Sequence, residues 1–170
     1  MINLDLRLEE LEIRHAPMLF AALNDDRVGK FIGGPDVTTL FELQERILHL
    51  LSGPPNDSNQ RWFNFVVILE AEVIGRVEAT SHDGITEIAY LINPSHWDRG
   101  FATSATELLL EELRKESELN FWATVDPNNS ASIRVLEKLG FSRINYDTAP
   151  LLLSYDEGDK VFQLNDQVTN

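Results

Sequence analysis

"INPSHWDRGFATSATELLLEEL", residues 92–113, passes from the apolar end of a β-like run through Pro94 and Gly100 into a series of helix formers. A strand that turns through glycine into a helix leaves unpaired backbone N–H groups and the positive end of a helix dipole at the turn. That geometry wraps an anion in amides. Gly100 permits close backbone approach, Ala102 and Thr103 are small, and Arg99 adds a charge, so a diphosphate fits the turn. The same residues also fit an ordinary strand-to-helix connection in which Gly100 only makes the bend. No G-x-x-x-x-G-K-[ST] run occurs in the chain, and the lone glycine of the loop is not a dinucleotide fingerprint.

Outward from this stretch the chain reads as alternating elements. Upstream, "RWFNFVVIL" and "VIGRVEAT" are β-rich runs parted by Glu70, Ala71 and Glu72, and "ITEIAYLI" follows the turn Asp83-Gly84, which together predict an antiparallel meander. Further back, "LDLRLEEL" alternates as a strand, and a helix spans residues 15–23. A second helix opens at "TLFE", where Thr39 and Glu42 have capping-box spacing, and stops before Gly53 and Pro54. "GPPNDSNQ", residues 53–60, reads as a loop. Downstream, "NFWATV" is a strand and "NSASIRVLEKLGF" a helix closed by Gly140; "FSRINYD" and "KVFQL" are final strands. This order predicts an α/β (α+β) fold: a mixed, mostly antiparallel central sheet with helices on both faces, in one domain of residues 1–170.

Composition narrows the partners. The 170 residues suffice for one domain with a real core, and the net charge of -14 argues against a nucleic-acid backbone as partner. With no cysteine there is no disulfide, thiolate metal site or cysteine nucleophile, which fits a reducing cytoplasm. The first fourteen residues are charged and do not read as a signal peptide, and no apolar run approaches the ~20 residues of a membrane span. His15, His49, His82 and His96 lack metal spacing and read as scattered surface or helix residues, so no metal is expected. Trp62 and Phe63 read as groove lining or as hairpin packing.

In "DPNNSASIRVLEKLGF", Asn129 stands where an N-cap belongs, and Asn129, Ser130 and Ser132 sit at the helix mouth. Together with "WDRGFAT", this stretch resembles the GNAT superfamily of N-acetyltransferases, and more closely its RimJ/RimL-like branch. The superfamily loop Q/R-x-x-G-x-G/A aligns with residues 97–102, with Trp97 in the first place; the branch's "W-G-x-G-Y-A-T" is matched with Asp98 for glycine and Phe101 for tyrosine. "NNSASIRVLEKLGF" is similar to the branch's "N-x-x-S-x-R-x-x-E-K-x-G-F", and "LRLEEL", "VIGRVEAT" and "EIAYLINP" fall in family order.

The resemblance implies acetyl-CoA bound between two splayed parallel strands, residues 87–92 and 121–125, the first opened by a bulge. It implies backbone of Leu91 and Ile92 along the pantetheine arm, amides of Arg99, Gly100, Phe101, Ala102 and Thr103 on the diphosphate, and Asn129 on the arm. Arg134 or Lys138 are candidates for the outer phosphate. Glu87 matches the superfamily's carboxylate base, and the usual acid, a tyrosine, is replaced by Leu136, which leaves Ser132 as a hydrogen-bonding partner for the sulfur. Tyr90 either meets substrate or packs on a helix. The acceptor implied is a primary amine, either a protein N-terminal α-amine or a small molecule, and dimers are common in proteins of this type. Two other readings remain open: a CoA-binding sensor or structural domain without catalysis, and a nucleotide-phosphate binder unrelated to CoA.

Overall fold

The computed structural model describes residues 5–32 and 37–166. Seven strands form one sheet in the order β1-β2-β3-β4-β5-β7-β6. The strands are β1 (Leu6–Glu10), β2 (Arg61–Leu69), β3 (Glu72–His82), β4 (Ile85–Ile92), β5 (Asn120–Val125), β6 (Ser142–Ile144) and β7 (Lys160–Asn165). Every neighbouring pair is antiparallel except β4 with β5. The α-helices are α1 (Ala16–Leu23), α2 (Leu40–Leu51), α3 (Phe101–Lys115) and α4 (Ser130–Lys138). The predicted mixed sheet with helices on both faces is thus the fold observed.

Alternation along the strands sorts the core into layers. Val67, Val77, Ile88, Ile92 and Phe121 turn to one face, where Phe101, Ala105, Leu109 and Leu113 of α3 and Leu136 of α4 cover them. Val66, Ile68 and Val73 turn to the other face under Leu19 and Leu23 of α1 and Leu43 and Ile47 of α2. Farther along that second face, Ile85, Trp122 and Val161 are covered by Leu152 from the segment between β6 and β7. Among the described residues no helix is long and apolar enough to cross a membrane.

Four details differ from the sequence reading. β4 carries no bulge against β3: their register runs unbroken from Gly75↔Ile92 to His82↔Ile85, and the irregularity lies between Val67 and Ile68 in the β2 to β3 pairing. "FSRINYD" is a strand only over Ser142–Ile144, because Asn145 takes the amide of Asp147 and starts a 3-10 turn. At α2 the cap is Thr39, whose Oγ1 accepts from the Glu42 amide at 3.1 Å, but the Glu42 carboxylate reaches back to Thr38 rather than to Thr39. Finally, His82 is neither a surface nor a helix residue but is buried on β3, whereas His15 and His96 end short 3-10 helices and His49 is exposed on α2.

Candidate active site

The pairing of β4 with β5 is brief. Only Thr86↔Phe121 and Glu87↔Trp122 are in register, after which the two strands part. From Ile88 to Ile92 the backbone edge that faces β5 has no strand partner, whereas its other edge stays bonded to β3. The result is a slot whose wall is strand backbone, the kind of edge that an extended amide-bearing chain joins by main-chain hydrogen bonds. Ile92 lies on it, as the sequence reading placed it, whereas Leu91 does not: along a strand successive peptide groups alternate edges, and the Leu91 carbonyl is turned to Gly75 of β3. The opening comes from divergence of β5 and not from a bulge.

At the mouth of the slot the chain turns into α3. Trp97 Nε1 donates to the Ile92 carbonyl at 2.7 Å and pins the end of β4 to the turn. Asp98 (φ 56) and Gly100 (φ 83) both adopt left-handed backbone. Aspartate is among the few residues besides glycine that tolerate this conformation, which accounts for Asp98 where the related motif has glycine. The backbone N–H groups of Arg99, Gly100, Phe101, Ala102 and Thr103 donate to no other described residue. Five consecutive free amides at a helix N-terminus, with the Arg99 guanidinium held 4.9 Å over the Phe101 ring beside them, suit a diphosphate. Phe101 itself is buried in the core and anchors the turn.

Glu87 stands where the two strands diverge, on the α1/α2 face, and is only 6% exposed. Its Oε1 accepts from His82 Nε2 at 2.6 Å and from the Leu153 amide at 2.7 Å. Its Oε2 accepts from the Ser154 amide at 2.9 Å and from the Ser154 hydroxyl. Burial alone pushes the carboxyl pKa up; the hydrogen bonds from Ser154 Oγ, His82 and the two backbone amides outweigh it, and the net shift is downward. The carboxylate therefore stays ionised, and it fastens the segment between β6 and β7 to the sheet. His82 continues the network, with Nδ1 3.3 Å from Asp83 Oδ2, and Asp83 Oδ1 accepts from Asn59 Nδ2 at 2.6 Å.

Ser132 lies on the opposite side of the slot. Its hydroxyl donates to the Tyr90 hydroxyl at 2.9 Å, and Tyr90 in turn donates to the Ser132 carbonyl at 3.1 Å. Burial raises the Tyr90 pKa to about 12 against the opposing hydrogen bond from Ser132. Tyr90 thus packs on α4, the second of the two roles open to it. Asn129 caps α4 by accepting from the Ser132 amide at 3.1 Å, and its side-chain NH2 has no acceptor among the described residues. Glu87 and Tyr90 are three apart on β4 and project to opposite faces. The slot therefore runs between a carboxylate on one side and a hydroxyl pair on the other.

The sequence reading missed His82 and Ser154. His82 was within reach: a two-residue turn at Asp83-Gly84 pairs His82 with Ile85 and puts it diagonal to Glu87 on one face. Ser154 was not, because it is 67 residues from Glu87 in a segment without periodicity. Trp62 is half-buried near His49, with ring centroids 5.4 Å apart, and its Nε1 donates to Gln60. No group of three or more metal-ligating side chains occurs among the described residues.

Residues 5–142 match the acetyltransferase (GNAT) domain. The chain belongs to the GNAT acetyltransferase family. It is 28% identical over 142 residues to the uncharacterized N-acetyltransferase p20 of Bacillus licheniformis, covering 81% of this chain and 79% of that one. Its fold superposes on RimJ of Mycobacterium smegmatis, solved with CoA-disulfide, with a TM-score of 0.76 at 17% identity, covering 94% of this chain and 81% of RimJ. It also superposes on the aminoglycoside acetyltransferase AAC(6')-Ib, solved with coenzyme A, with a TM-score of 0.74 at 23% identity, covering 96% and 95% of the two chains. As a GNAT acetyltransferase this chain uses acetyl-CoA as donor, and an unpaired strand edge beside free helix-start amides is the chemistry that an amide-bearing arm and a diphosphate call for.

Proposed function

We propose that this GNAT domain acetylates a primary amine, either a free α-amine of a protein or a small-molecule amine, with Glu87 as base and Ser132 beside the sulfur. The observation that carries this reading is the slot itself, with an ionised, buried carboxylate on one face and a paired hydroxyl on the other. Acetyl-CoA supplies a thioester whose carbonyl is attacked by the amine; the C–S bond breaks, the sulfur leaves as a thiolate, and it takes up the second proton that the acceptor nitrogen loses on becoming an amide. The open backbone edge of β4, with Ile92 on it, aligns the arm, the amides from Arg99 to Thr103 fix the diphosphate, and Asn129 offers its free NH2 to the arm. Glu87 takes the proton that the acceptor must lose, and Ser132 turns its hydroxyl from Tyr90 toward the sulfur. An acceptor that arrives as an ammonium suits the acidic chain.

Calorimetric titration with acetyl-CoA, CoA and ATP, followed by thiol release from acetyl-CoA with a free-α-amine peptide and with spermidine, tests the reading. Binding of both CoA species but not ATP, with thiol release on an amine, is the expected result. Binding without thiol release from any amine would instead favour a CoA sensor.

A further inference from the structure

Glu87 is buried, yet a base must reach the acceptor. Its carboxylate already accepts from four donors, three of which are fixed: the two amides of Leu153 and Ser154 and the ring nitrogen of His82. The fourth is the Ser154 hydroxyl, and Ser154 is exposed. Thr124 Oγ1 stands 2.9 Å from both that hydroxyl oxygen and the Ser154 carbonyl, and its single proton is shared between the two acceptors. Thr124 lies on β5, the far wall of the slot. Ser154 Oγ thus donates inward to Glu87, accepts one bond from β5, and keeps its second lone pair without a donor among the described residues. A hydroxyl is both donor and acceptor, so it passes a proton without acquiring net charge.

Resting on the assignment of Glu87 as base, we propose that Ser154 is a further catalytic residue, the relay through which the acceptor reaches that carboxylate. The acceptor ammonium donates to the free lone pair of Ser154 Oγ. As its proton moves to Oγ, the original Ser154 proton moves to Glu87 Oε2. The acceptor becomes a neutral amine with its lone pair free, Glu87 becomes a carboxylic acid, and Ser154 is again a hydroxyl. Thr124 holds the Ser154 hydroxyl from β5, and the amides of Leu153 and Ser154 keep the relay over Glu87. The exchange moves one proton and no other atom.

The test compares the Ser154→Ala, Ser154→Thr and Glu87→Gln variants and the Ala/Gln double variant, with spermidine or the free-α-amine peptide as acceptor. Ser154→Ala should lower kcat by roughly 10²-fold with unchanged affinity for acetyl-CoA, and Ser154→Thr, which keeps a hydroxyl, should recover most of that loss. The double variant should lose no more than Glu87→Gln alone, because both act on one proton path. A second readout needs no turnover: carbon-13 NMR titration of the Glu87 carboxyl in the free protein. Removing the hydroxyl should raise the carboxyl pKa, and the acid limb of kcat/KM should move to higher pH by the same shift. His82 is the titratable side chain bonded to Glu87 and is present in all the Ser154 variants; β5 and the covering segment bring Trp122, Thr124 and Leu153, which do not titrate. Wild-type kcat in Ser154→Ala alongside a large loss in Glu87→Gln would overturn the relay and leave the base assignment standing. Wild-type kcat in Glu87→Gln would remove the base assignment, and the relay with it.

Discussion

Glu87 fastens a distant segment to the sheet and, on the proposed reading, also takes a proton, and substitution separates the two jobs. Glutamine keeps the shape and one acceptor oxygen but cannot be a base, so Glu87→Gln should lower kcat by roughly 10²–10⁴-fold with little change in acetyl-CoA affinity, as read by thiol release and calorimetry. The fastening job has its own signature in pH. Because the folded carboxyl pKa lies below its ordinary value of 4.5, the unfolded chain binds more protons in that range. The stability that Glu87 contributes is fully present above pH 4.5 and is lost as pH falls through the lower folded value. Denaturation midpoints measured from pH 7 down to pH 3 should decline less steeply in Glu87→Gln than in the parent; identical slopes would show that the carboxylate contributes nothing to folding. The place of Glu87 on β4 was legible because it precedes "IAY" in an alternating strand. Ser154 was not, since a serine in an aperiodic loop carries no spacing, and only the fold brings it to its partner.

Among the elements, periodicity revealed the strands and helices well, because each needs only its own alternation or its own cap. The slot was harder, since it depends on how far β5 runs beside β4, and that is settled by β7 on the other side of β5 and by the segment Glu87 holds. The two glycines nearest the slot show the difference between local and packed constraint. A Cβ at Gly75 would stand 2.2 Å from the Leu91 carbonyl oxygen, where β3 supports the slot wall. Gly75→Ala should therefore force β4 to shift, destabilise the fold by about 1–3 kcal/mol and weaken CoA binding with it. Gly100 has open space around it but a φ of +83. Gly100→Ala should cost only the left-handed penalty, roughly 1–2 kcal/mol, and its effect on CoA affinity reports how much the turn relaxes. Thermal melts with and without CoA measure both, and a Gly75→Ala melt equal to that of the parent would refute the close approach.

For the whole molecule the dominant fact is charge, and it acts oppositely on the two substrates. A net charge of -14 surrounds a site that must admit a polyanion, the CoA diphosphate, and on the proposed reading a cationic amine. Long-range repulsion of CoA is screened by salt over a Debye length of about 10 Å at 0.1 M, while the amides at the mouth of α3 act at contact and are screened far less. Added salt should therefore raise the association rate of acetyl-CoA and leave its dissociation rate nearly unchanged. Attraction of a polyamine is screened by the same ions, so its KM should rise over the same salt range, whereas the KM of a zwitterionic or acidic peptide should stay level or fall. Stopped-flow binding of acetyl-CoA and steady-state kinetics with spermidine, each from 0.02 to about 0.3 M salt, read the two trends separately. If instead the association rate of acetyl-CoA falls with salt and the KM of spermidine fails to rise, the field at the slot is set by local cations such as Arg99 rather than by the acidic surface, and the acidity of the chain plays no part in choosing the acceptor.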